Sequence, residues 1–197
     1  MKKYALQAVT EPVDWTQIPV AAMDTAYLNT PDTVKAWGQL ALGEDALLLR
    51  LQLEVPSIRA EEKGPLGMPC EDSCLEFFFR PLEDDPRYLN FECNFNGCIF
   101  LGMGTGIPDL IRMVPDGAQE LFCPETCATE TGWELRFRIP HAFVRRPFPD
   151  YQPGEIAGIN FYACSDLSEP AYYLSWSPVP TEPFTFHCPK AFGTLEK

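Results

Sequence analysis

The sequence predicts an all-β fold: a single antiparallel, jelly-roll-like β-sandwich with little helix. Three observations predict it. Residues 47–55 alternate, with Leu47, Leu49, Leu51, Leu53 and Val55 on one face and Arg50, Gln52 and Glu54 on the other. Residues 133–139 repeat the pattern, turning Trp133, Leu135, Phe137 and Ile139 inward. A period of two marks a half-buried strand, because successive Cβ atoms leave a strand on opposite sides. Aromatic residues make up 13% of the chain and it carries 20 prolines, a combination that favours strands and turns over long helices. At 197 residues the chain can bury one core, and it reads as one domain over 1–197.

The remaining elements follow in order. Residues 34–42 predict an early strand, and the Gly-, Pro- and charge-rich stretch 56–69 a loop. Residues 73–80 form a strand in which Leu75, Phe77 and Phe79 point one way and Cys74, Glu76 and Phe78 the other. In 88–95, Phe91, Cys93 and Phe95 form the apolar set, opposite Asn90, Glu92 and Asn94. Asn96-Gly97 then turns the chain into 98–101, the pairing typical of a tight hairpin. Residues 102–116 read as a loop. After the 133–139 strand, Pro140 suits the first position of a helical turn over 140–146. Residues 155–164 place Ile159, Phe161 and Ala163 inward and Asn160, Tyr162 and Cys164 outward. A strand over 171–176 ends in 177–183, where three prolines stop regular pairing.

Charge and cysteine usage exclude several functions. Lys and Arg total 15 against 28 Asp and Glu, a net charge of −13 that repels both nucleic acid and an anionic membrane surface. No unbroken apolar run matches a secretory or spanning segment, so the chain as given reads as cytoplasmic. In that compartment the eight cysteines, Cys70, Cys74, Cys93, Cys98, Cys123, Cys127, Cys164 and Cys188, are expected as free buried thiols. Structural zinc is the sharper alternative. It is weakened by the absence of any C-x-x-C pair and by the placing of Cys74 within a strand.

If the middle strands share a sheet, its outer face carries Glu76, Phe78, Asn90, Glu92, Asn94, Asn160 and Tyr162. Carboxylates and amides on a rigid sheet can bond sugar hydroxyls, and rings can stack on the apolar face of a pyranose. A plain solvated face has a similar composition.

These residues resemble family 9 carbohydrate-binding modules and the wider DOMON-like group of β-sandwiches. The resemblance rests on six segments in family order: 71–78, 90–94, 132–140, 158–162, 174–176 and 189–193. It implies a cleft over one sheet, closed in sugar-binding members by two tryptophans whose positions fall on Pro69 and Phe186. The family's glutamate falls on Glu76 and its asparagine on Asn94. Glu92 replaces an arginine and Tyr162 a glutamine. The ligand-binding set is therefore Glu76, Glu92, Asn94, Tyr162, Phe186 and His187, with a saccharide as ligand and a carbohydrate-active enzyme as an associated partner. No cofactor is required. Structural calcium, frequent in the family, would use the acidic turn Glu83, Asp84 and Asp85, which also reads as an exposed turn.

Three other readings compete. Some DOMON-like sandwiches hold haem between Met and His, and Met68 and His187 flank the cleft positions here. Glycoside hydrolysis would use Glu76 and Glu92, but an open sheet face would leave both hydrated and untuned. With only His141 and His187 and no catalytic motif, an enzyme acting alone is not expected. The third reading is a structural or interaction sandwich that binds no sugar.

Overall fold

The computed structural model describes residues 1–196. Four short strands open the chain: β1 (Lys3–Tyr4), β2 (Gln7–Ala8), β3 (Ala21–Ala22) and β4 (Thr25–Tyr27). Two long ones follow, β5 (Lys35–Leu42) and β6 (Ala46–Glu54). A meander of β7 (Cys74–Arg80), β8 (Tyr88–Asn94) and β9 (Ile99–Gly104) leads to β10 (Ile111–Met113). The helical turn α1 (Ala118–Phe122) precedes β11 (Glu125–Ala128) and β12 (Gly132–Pro140). The turn α2 (His141–Val144), then β13 (Gly158–Ser165), β14 (Tyr172–Ser175) and β15 (Thr194–Leu195), complete the described chain.

Apart from the two-stranded ribbon of β1 and β15, the strands form two stacked sheets. One has the order β10-β9-β8-β7-β13-β14-β4; the other runs β11-β12-β6-β5-β2, with β3 also on β5. Pairing is antiparallel except where β2 lies parallel to β5 and β1 parallel to β15. The two inner faces meet in one core that includes Leu49, Leu51, Leu53, Phe77, Phe79, Trp133 and Phe161. These are the inward residues of the alternating segments, so each strand's period sets which layer its side chains join.

Several elements differ from expectation. The Gly-rich stretch from residue 102 continues β9 to Gly104 and contains β10, where a loop was expected. Asn90 and Leu110 occupy the space a side chain on Gly102 would need, so the strand persists because its neighbours fill the gap. The first strands, β11 and β15 are two to four residues long, too short to show a period. Among the described residues, no helix is long and apolar enough to cross a membrane.

The largest correction concerns the outer face of the seven-stranded sheet, expected to lie open. It is roofed. Phe78, Tyr88, Tyr162, Cys74 and Cys164 of that face pack under Tyr27, Val179, Phe186 and Phe192 in a second buried cluster.

Candidate functional site

Strand register sets the floor of the site. Glu76 pairs with Glu92 on one side and Tyr162 on the other, and Glu92 pairs with Phe100. One row across the sheet therefore reads Phe100, Glu92, Glu76, Tyr162. The next row reads Asn94, Cys74, Cys164, Tyr173. Loops around residues 59–72, 105–110 and 177–193 cover both rows. They leave a cavity of about 280 Å³ whose lining includes Glu76, Glu92 and Cys164 from the sheet. Phe184, Phe186, Tyr173 and His187 line it on one side, and Met68, Phe100 and Leu110 contribute further lining. A larger cleft of about 690 Å³ lies near Val34, Ile58, Arg59 and Tyr172. Its Arg59 is paired with its Glu61 at 2.9 Å.

The pocket is tuned by burial. Desolvation pushes the Glu76 carboxyl up to about 8. Glu92 is pushed well above the usual carboxylate range by burial and then by the neighbouring Glu76, with Arg112 opposing. Burial pulls His187 down to about 4, so its imidazole is neutral at neutral pH. Its Nδ1 lies 2.6 Å from the Tyr88 hydroxyl. Two carboxyls side by side in a dry site cannot both ionise easily, so the floor holds at least one proton near neutrality. It can then both donate to and accept from a ligand hydroxyl. Asn90 Nδ2 donates to Glu92 Oε1 at 2.8 Å and fixes that carboxyl in place. The open-face expectation that neither carboxyl would be tuned is thereby corrected.

Of the six expected ligand contacts, the structure brings Glu76, Glu92, Phe186 and His187 together at this pocket. Asn94 and Tyr162 do not reach it. Asn94 Nδ2 donates to Asp72 Oδ2 at 2.8 Å and to the Glu62 carbonyl at 2.9 Å, while its Oδ1 accepts from the Asn96 and Cys98 amides. With donors and acceptor spent, it anchors the 59–72 loop. Tyr162 is sealed beneath Phe186, the rings stacked at 4.2 Å and 16°. Its hydroxyl accepts from Asn160 Nδ2 at 2.8 Å and donates to the Phe186 carbonyl at 3.1 Å. Tyr162 therefore sets the position of the ring above it.

Other expected positions fall as follows. Pro69 is buried at the start of a helical turn, and its neighbour Met68 lines the pocket instead. Met68 and His187, paired in the haem reading, do share the cavity, but about 280 Å³ is below the usual range even for drug-sized ligands. In the acidic turn, Asp85 accepts from the Arg87 guanidinium and Glu83 lies 3.8 Å from Arg80, so arginines already meet two of the three carboxylates. The cysteines are free, but Cys123 and Cys127 are exposed where buried thiols were expected. Phe100, Tyr173, Phe184 and Asp166 were missed. Phe100 was within reach of parity, since the Asn96-Gly97 hairpin places it opposite Glu92. The others come from the four-residue strand β14 and irregular loops, which carry no period.

A two-sheet sandwich with a small aromatic-walled pocket floored by carboxyls on one sheet defines a ligand-binding module. The chain belongs to carbohydrate-binding family 9, whose model matches residues 7–197. It is similar to a candidate carbohydrate-binding protein from Bacteroides uniformis, 28% identical, with 98% of each chain covered and a TM-score of 0.80. It also shares its fold with a family 9 module from Caldicellulosiruptor kristjanssonii in complex with cellotriose, at 14% identity and a TM-score of 0.65, covering 98% of this chain and 94% of that one. A family 9 module of the same organism in complex with glucose matches at 15% identity and 0.65, covering 98% and 96%. No curated protein matches the chain.

Proposed function

We propose that this pocket binds one ring of a saccharide and that the chain acts as a non-catalytic binder. The carrying observation is that two buried carboxyls and an aromatic group containing Phe184 and Phe186 line one cavity of about 280 Å³. Hydroxyls meet the Glu76–Glu92 pair, and the apolar face of the ring meets the aromatic side. Family membership and the glucose and cellotriose complexes of two structural neighbours support this reading. The cavity is small enough to favour a chain end or a single sugar over the middle of a polymer. Held there, a saccharide would bring an attached or associated carbohydrate-active enzyme to its substrate.

Hydrolysis by this chain alone would need one carboxyl ionised as base or nucleophile beside a protonated acid, whereas burial raises both Glu76 and Glu92. Calorimetric titration with glucose and cellotriose tests the proposal. Phe186→Ala and Glu92→Gln should each weaken binding by about 1–3 kcal/mol, roughly tenfold to a hundredfold. Saccharide binding that is unchanged in both variants, or turnover of aryl glycosides by the purified chain, would overturn it.

A further inference from the structure

Beside Glu76 in the floor of the cavity lie two thiols that saccharide binding does not explain. Cys74 and Cys164 face each other directly across β7 and β13. One ligand atom each from Cys74, Cys164 and Glu76 lies within 4.8 Å of the other two, and all three residues are buried. The Cys164 thiol donates to Glu76 Oε1 at 2.9 Å. Cys164 and Glu76 also line the cavity, together with Cys70, Glu92 and Asp166. Among the described residues no salt bridge reaches Glu76, Glu92 or Asp166. The nearby Arg112 guanidinium donates instead to the Pro65, Leu66 and Gly67 carbonyls. Acidic groups thus converge with no cation among them.

We propose that Cys74, Cys164 and Glu76 form a site for a thiophilic divalent cation of the zinc class, with the fourth coordination position facing the cavity. Two sulfurs and one carboxylate oxygen suit a borderline-soft ion and not calcium or magnesium, which take oxygen. Three protein ligands with an open fourth position would present the cation to whatever occupies the pocket. On binding, each thiol releases its proton to solvent and its sulfur donates an electron pair to the metal. Any proton on Glu76 is released as well, so no oxidant or reductant is needed. Sequence spacing offers no C-x-x-C pair; only the β7–β13 register brings Cys74 to Cys164.

The test uses the full chain, kept reduced, with the exposed thiols removed as C123S/C127S. It is titrated with Co²⁺, then with Zn²⁺, in the absence of sugar, so its outcome is separate from that of the saccharide reading. Expected are one cobalt per chain, a thiolate-to-cobalt charge-transfer band that Zn²⁺ abolishes, and release of about two to three protons per cation. Glu76→Gln should weaken binding at least tenfold, and Cys164→Ala should remove the band. If Cys164→Ala does not fold, proton release by the parent protein decides: fewer than one proton per cation overturns the site. No band at stoichiometric Co²⁺, a band that survives Cys164→Ala, or a Cys74–Cys164 disulfide that persists in reductant would each overturn it too.

Discussion

Asp72 is fully buried, and its carboxylate is met from several sides. Oδ2 accepts from the Glu61 and Glu62 amides at 2.9 and 2.8 Å and from Asn94 Nδ2 at 2.8 Å, while Arg59 Nε lies 3.4 Å from Oδ1. These bonds tie the loop that carries Met68 to the end of β8. Asn94 is the hub, because it also holds the Asn96 and Cys98 amides at the hairpin turn. Asn94→Ala should therefore act on stability before binding. It leaves a buried carboxylate oxygen and two turn amides short of a partner, at a cost of about 1–3 kcal/mol. Urea unfolding measures this; a stability equal to that of the parent would show that the loop is held by other contacts.

At the scale of elements, β7 and β8 bring Glu76 and Glu92 together under the roof, and His187 enters from a loop above. Their protonation makes the fold's stability depend on pH in a particular way. Glu76 is raised from its ordinary 4.5 to about 8, so the native state holds a proton that the unfolded chain has lost. That contribution is complete below about 4.5 and declines as pH climbs toward 8. His187 is lowered from 6.5 to about 4, so its contribution is complete above 6.5 and declines as pH falls toward 4. Between about 4.5 and 6.5 the Glu76 slope opposes that of His187, to which His141, also lowered by burial, adds. Between about 6.5 and 8 the carboxyls dominate, because the raised thiols, Cys70 and Cys74 among them, begin to ionise in the unfolded chain only nearer 9, and stability should fall by at most about 1.4 kcal/mol per pH unit for each proton involved. Chemical denaturation at pH 6.5 and 7.8 should show this fall in the parent and a much flatter profile in E76Q/E92Q. An equal fall in both proteins would mean that the pair is not the source.

For the whole molecule, the long strands and their inward faces were legible because a period of two survives over seven to nine residues in β6, β7, β8 and β12. The binding face was legible by the same parity. Most of its roof was not, because Tyr27, Phe184 and Phe192 come from a short edge strand and irregular segments without periodicity; Phe186 was reached only through the family resemblance. Register was equally hidden, and with it the Asn94–Asp72 tie and the Cys74–Cys164 contact. One whole-molecule constraint was written in the sequence as a glycine within a strand, a common sign of close approach. Gly38 on β5 faces the other sheet, where a β-carbon would run into the Phe161 ring. That ring cannot swing aside freely, since Phe77 packs on it at 5.1 Å and Tyr4 and Trp176 each at 6.1 Å. Gly38→Ala should thus force β13 away from the six-stranded sheet and cost about 1–3 kcal/mol. Phe161→Leu removes ring atoms at the point of collision, so the double variant should be less destabilised than the sum of the singles. Strand β13 also carries Asn160 and Tyr162, which position Phe186. Gly38→Ala should then weaken saccharide binding from the far side of the core, and Phe161→Leu should restore part of it. Strictly additive stabilities, with binding untouched, would mean that the sheets absorb the extra methyl locally and that the pocket floor is insulated from their spacing.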